Sequence, residues 1–138
     1  MDKTNSTSRP KCYGFDTGFV TFIKGWDSIR EDDRGLLWEH LVLDTLRTAI
    51  NETNLYYWRN KSGREIDFII RAPEQRVHAV ECKINPEYFD SKSLISFRSL
   101  YPEGDNYVIS PLVKIPYKRK HHHLTVSYLS LKNLSLQI

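Results

Sequence analysis

Between Leu55 and Lys83 the chain reads LYYWR, NKSG, REIDFIIR, APEQ and RVHAVECK: three strand-like runs separated by two turn signals. No other stretch restricts the fold so tightly. Short runs rich in Ile, Val, Tyr and Phe fit strands, while Lys61-Ser62-Gly63 and Ala72-Pro73-Glu74-Gln75 fit the tight connections between them. Connections this short join antiparallel neighbours, so residues 55–59, 64–71 and 76–83 predict a meander.

The flanks supply helices. GLLWEHLVLDTLRTAINE predicts a helix over about 35–52, with Asp32 or Asp33 of the REDDR run as its cap. DSKSLISFRSLY (90–101) has helical spacing at Leu94, Phe97 and Leu100, with Asp90 or Ser91 as cap. NYVIS (106–110) reads as a buried strand that can return parallel through this helix, and LTVSYLSL (124–131) as one more strand. The expected class is α/β: a mixed β-sheet flanked by α-helices. The polar residues 1–10 predict a flexible segment, KCYGFDTGFVTFIK (11–24) an irregular packed one, and residues 11–138 a single domain.

Composition excludes several classes. Hydrophobic residues make up 40% of the 138, enough for a core, and no apolar run approaches a membrane span. The polar start lacks a signal peptide's apolar stretch, and two cysteines, Cys12 and Cys82, read as reduced thiols in a cytoplasmic protein. Charge is uneven: residues 111–138 carry five basic side chains and no acidic one. That tail suits either a polyanion or a solvated basic loop.

Three acids stand where apolar residues are expected. At 100° per residue Glu39 falls in the middle of the arc formed by Leu36, Val42, Leu43, Leu46 and Ile50, with His40, Asp44 and Arg47 to one side on a solvated face. Asp67 interrupts Ile66-Asp67-Phe68-Ile69-Ile70 and, under strict alternation, shares a face with Ile69. Glu81 and Lys83 share another face, opposite Val80 and Cys82, and a hairpin of 64–71 with 76–83 brings Asp67 near Glu81. Two carboxylates in a cleft suit Mg²⁺ or Mn²⁺, which can activate a water for attack on a phosphodiester, with a lysine to orient it. Internal ion pairs using Arg59 or Lys83 account for the same acids. Both readings stand at this point.

Asp67, then Glu81-x-Lys83 across a strand-turn-strand gap, with Glu39 on a preceding helix, resembles the PD-(D/E)xK nuclease superfamily and its restriction-endonuclease-like fold. Ile66 stands where that superfamily's proline is often found. The resemblance implies that Asp67, Glu81 and the Cys82 carbonyl hold the metal, that Lys83 is catalytic, and that Glu39 supports the shell or a second ion. It implies Mg²⁺-dependent hydrolysis of DNA. CYGFDTGF, GLLWEHLVLDTL, LYYWRNKSGREIDFII and HAVECK also resemble the uncharacterised C-terminal domain of prokaryotic AAA-type ATPases, over about residues 11–110 and 124–134. No Gly-x-x-x-x-Gly-Lys-Ser/Thr loop occurs, so this chain does not itself supply the ATPase phosphate site.

The resemblances imply two functions: a nuclease, or a non-catalytic DNA-binding or regulatory module derived from such an ATPase. DNA, an ATPase module in the same or another chain, and a second copy in a homodimer are the expected partners. Arg59 after Tyr56-Tyr57-Trp58, Lys92 on the second helix, and Lys118, Arg119 and Lys120 in the tail are the candidate phosphate contacts. Core packing of 56–59, with Arg59 paired to an acid such as Glu39, is the plainer expectation for the first of these.

Overall fold

The computed structural model describes residues 31–137, with side chains from Asp33 onward. The expectations for residues 1–10 and 11–24, for Cys12 and for the Asp32 side chain lie outside what is described. The first described helix, α1 (Glu31–Ala49), begins ahead of the expected 35 and stops short of 52. Asp33 lies inside the first turn, buried, instead of capping it. Trp38, Val42 and Leu46 form the buried stripe with Leu43. His40 is only 2% exposed, against the expected solvated face, because the covered arc extends about 200° from Trp38 round to His40.

A short 3₁₀ turn (Glu52–Asn54), capped by the Asn51 side chain, delivers the chain into the meander. Strands β1 (Leu55–Arg59), β2 (Glu65–Arg71) and β3 (Val77–Cys82) pair antiparallel as expected. Gly63, at φ +84°, allows the first turn to close, with its N–H on the Asn60 carbonyl. Glu74 and Gln75 turn the second at φ 63° and 61°, left-handed values that L side chains adopt only at a cost.

Helix α2 (Lys92–Leu100) then carries the chain to β4 (Asn106–Ile109), which pairs parallel with β3. Asp90 accepts the Lys92 N–H at 3.0 Å, so the expected acid does cap this helix. Leu94 and Phe97 are buried, but Leu100 is 48% exposed, and Arg98 takes the inward position instead. Arg98 donates to the Asn106 side chain (2.8 Å) and to the carbonyls of Tyr101, Glu103 and Asp105 (3.0, 3.1 and 2.8 Å). It folds the α2–β4 loop around one guanidinium. In that loop Gly104 lies so close to β3 that a Cβ would stand 1.8 Å from the Val77 carbonyl oxygen.

The last strands differ from expectation. Residues 117–121 form β5 (Tyr117–His121), and His122-His123 are the tip of a hairpin to β6 (Leu124–Leu129). The chain then closes in α3 (Leu131–Gln137), where a longer strand was expected to reach residue 131. The sheet order is β1-β2-β3-β4-β6-β5, with β3, β4 and β6 mutually parallel. One apolar cluster joins α1 and α3 to Phe68, Val80, Tyr107 and Ile109. The other joins α2 to Ile66, Ile69, Ala79, Val108 and Tyr128. Each such side chain contributes about 1.5–3 kcal/mol by leaving water, and together the two layers fix the strand ends that carry the acids. Among the described residues no helix is long and apolar enough to cross a membrane.

Candidate functional site

The acids gather where β2 and β3 part. Between β1 and β2 the register runs Trp58↔Ile66 and then Tyr56↔Ile69, so Asp67 and Phe68 together oppose Tyr57. This bulge breaks the alternation: Ile66 and Ile69 fall in the same cluster beneath α2, and Asp67 does not simply share the face of Ile69. The β2–β3 pairing runs from Arg71↔Val77 to Phe68↔Val80. One step further along that register is the Asp67–Glu81 rung that the sequence anticipates. There Asp67 Oδ2 accepts the Cys82 N–H at 2.8 Å, and a carboxylate holds the strands together.

Glu81 is 9% exposed and lies in register with Val108 of β4. Lys83 follows the end of β3, half-buried, and its N–H donates to the Ile109 carbonyl at 3.0 Å. The same oxygen accepts the Trp38 indole N–H at 2.9 Å. One carbonyl thus ties α1 to the ends of β3 and β4, and Glu39, the next residue on α1, is half-buried. Glu39, Asp67 and Glu81 all have partners. Arg59, however, pairs with Glu65 at 3.5 Å on the neighbouring strand rather than with Glu39. Register decides this: Arg59 lies directly opposite Glu65. Among the described residues no ion pair joins the Lys83 ammonium to an acid, so the ion pairs expected of it with Glu81 or Asp67 are not formed.

Asp67 also borders a cavity of about 160 Å³ between α1 and β1, facing Leu43, Arg47 and Tyr57. Arg47, expected on a solvated face, is exposed, lines this opening and pairs with Glu52 at 3.1 Å. Among the described residues, no group of three His, Cys, Asp or Glu side chains comes together as a metal cage. Mg²⁺ needs as few as one or two carboxylates with water, so the Asp67–Glu81 rung has the donor chemistry for it even though Asp67 Oδ2 already takes an amide.

The candidate phosphate contacts are scattered. Lys92 is exposed in the first turn of α2. Lys118, Arg119 and Lys120 are exposed on β5 at the far edge of the sheet, four strand spacings from β2, about 19 Å. Arg119 is committed to the α2 side: it chelates Glu87 at 3.0 and 3.2 Å and lies over the Tyr117 and Tyr128 rings at 5.0 and 5.6 Å. His78, expected as a packed core histidine, accepts the Asp105 N–H through Nδ1 at 3.0 Å, and burial lowers its pKa.

Residues 34–133 match the family described as Domain of unknown function (DUF4143). No curated protein matches the chain. Among solved structures it resembles a chain of the "half-complex from tetradecameric assembly of Thermococcus gammatolerans McrB AAA+ hexamers with bound McrC", at 14% identity and a TM-score of 0.50. The likeness covers 71% of this chain and 28% of that one, so this chain spans little more than a quarter of the length of the chain it matches. At that identity the likeness establishes a shared fold.

Proposed function

The chain belongs to the DUF4143 family, and from that premise we propose that it serves an AAA-type ATPase as a non-catalytic regulatory or DNA-binding module. The observation that carries this reading is the Asp67–Cys82 hydrogen bond. It gives the most conspicuous acid of the sequence a role in holding β2 to β3. The ATPase context is supported by the sequence resemblance to the C-terminal domain of such proteins and by a fold shared with a chain from an assembly of AAA+ hexamers. The test is ATP turnover by an AAA-type ATPase of the same organism, with and without the intact chain. A saturable change in turnover, with co-migration on gel filtration, is expected. Unchanged turnover without co-migration overturns the reading.

A second reading is favoured by one feature: Asp67 and Glu81 lie on successive strands at the same level, with Lys83 just beyond. In it the two carboxylates and the Cys82 carbonyl hold Mg²⁺ or Mn²⁺, which supplies Lewis acidity when bound. Lys83 orients the attacking water, and Glu39 steadies the shell from α1. Loss of metal-dependent DNA cleavage in both Asp67→Asn and Lys83→Ala is the result that reading requires.

A further inference from the structure

We propose that the open face of the β6–β5 ribbon binds a nucleic-acid sugar–phosphate backbone through Lys118 and Lys120, a surface separate from the carboxylate site. Alternation along β5 divides its cations. Tyr117, Arg119 and His121 turn toward α2: Tyr117 stacks on Tyr128 at 4.7 Å, and the His121 Nε2 lies 2.7 Å from the Tyr128 hydroxyl. Arg119 is neutralised there by Glu87. Lys118 and Lys120 lie on the opposite face, in register with Ser127 and Thr125 of β6.

That face is concave and polar. Lys118 borders two adjoining hollows, about 250 Å³ beside Tyr107, Ser127 and Gln137, and about 230 Å³ beside Thr125, Ser127 and His123. The acid on the rim, Asp105, pairs with Arg76 at 3.5 Å and accepts the Tyr107 hydroxyl at 3.4 Å. Residues 111–138 contain no other acid to oppose the lysines. The two side chains leave the strand about 7 Å apart, so both ammonium groups can reach phosphates of one backbone. Tyr107, at the floor, is buried, and Tyr117 is stacked on Tyr128, so neither ring is presented to bases. Contact is therefore to phosphates, independent of sequence and sensitive to salt. The hairpin is a preformed two-strand ribbon, so binding orders little besides the lysine side chains.

This surface is independent of the ATPase reading, since binding is measured on the isolated full chain. Fluorescence anisotropy with a labelled DNA duplex and a single strand of the same length, across a salt series, is the experiment. The Lys118→Ser/Lys120→Ser variant is expected to weaken binding at least tenfold at low salt, and to flatten the log–log salt slope by about 1.8 for two phosphates on B-DNA. Arg119→Gln is expected to leave both nearly unchanged. Both lysines are exposed, and matching circular dichroism and melting curves establish that the variants fold. Equal binding by the lysine variant overturns the proposal, as does an Arg119→Gln loss as large as the lysine variant's. Competition by poly-glutamate as strong as by DNA also overturns it, because the face then takes any polyanion.

Discussion

Replacing Asp67 by alanine separates a clamp from a cation cage by the size and sign of a stability change. As a clamp, the carboxylate accepts the Cys82 N–H at 2.8 Å where the β2–β3 ladder has ended. A hydrogen bond to a charged acceptor is worth about 1.5–3 kcal/mol, and Asp67 is half-buried, which places it near 2. Asp67→Ala is therefore expected to lower unfolding free energy by about 2 kcal/mol. Asp67→Asn keeps an oxygen acceptor and loses about 1. If instead Asp67 and Glu81 are held together chiefly for a cation, neutralising one relieves repulsion in metal-free protein, which offsets the lost hydrogen bond so that the loss vanishes or reverses. Guanidinium unfolding at neutral pH in EDTA, followed by tryptophan fluorescence, reads the difference. An increase in the alanine variant, or a loss below about 0.5 kcal/mol, refutes the clamp.

Arg98→Met is expected to cost about 3 kcal/mol, because it orphans the buried Asn106 side-chain oxygen and releases three loop carbonyls; urea midpoints check it. Glu74→Asn with Gln75→Gly is expected to raise stability by about 1–2 kcal/mol, since both native residues sit in the left-handed region, and calorimetric melting shows it. Burial and the neighbouring Asp105 carboxylate push Tyr107 up to about 12, against 10.0 for a free tyrosine. Its stabilisation is thus intact below about pH 10 and is lost as pH rises toward 12, and Tyr107→Phe should flatten that part of the unfolding profile. His78 has the opposite sign: its lowered pKa means the unfolded chain binds more protons, so its contribution fades as pH falls below about 6.5.

Much of this architecture is legible in the sequence because local chemistry and tertiary context agree. Gly63 marks the first turn, and the apolar runs around Trp58, Ile69 and Val80 become adjacent strands in the expected pairing. The failures have physical causes. YKRKH shows no apolar alternation because β5 is an edge strand, and charged side chains on an edge discourage pairing with other molecules. The strand expected to reach residue 131 stops at Leu129 because the chain turns into α3, where Leu134 is buried against the α1 side. Arg98 occupies an inward helical position through hydrogen bonds to backbone distant in space, so its charge reads as solvent-facing in sequence. The level of Asp67 with Glu81 was readable from the hairpin, whereas the bulge that redirects Asp67 depends on β1 and leaves no mark in β2 alone. Likewise Arg59 and Glu65 form a cross-strand pair that register alone decides.

As proposed above, Asp67 serves as a clamp between β2 and β3 rather than as a ligand for a DNA-cleaving metal. The measurement that tests it most directly is cleavage of supercoiled, single-stranded, flapped and four-way DNA with Mg²⁺ or Mn²⁺. Wild type, Asp67→Asn and Lys83→Ala are compared at equal concentration of folded protein. The account predicts no cutting by wild type beyond that of the two variants with any substrate or metal. Metal-dependent cutting by wild type that disappears in both variants contradicts it, and assigns the Asp67–Glu81 rung to catalysis.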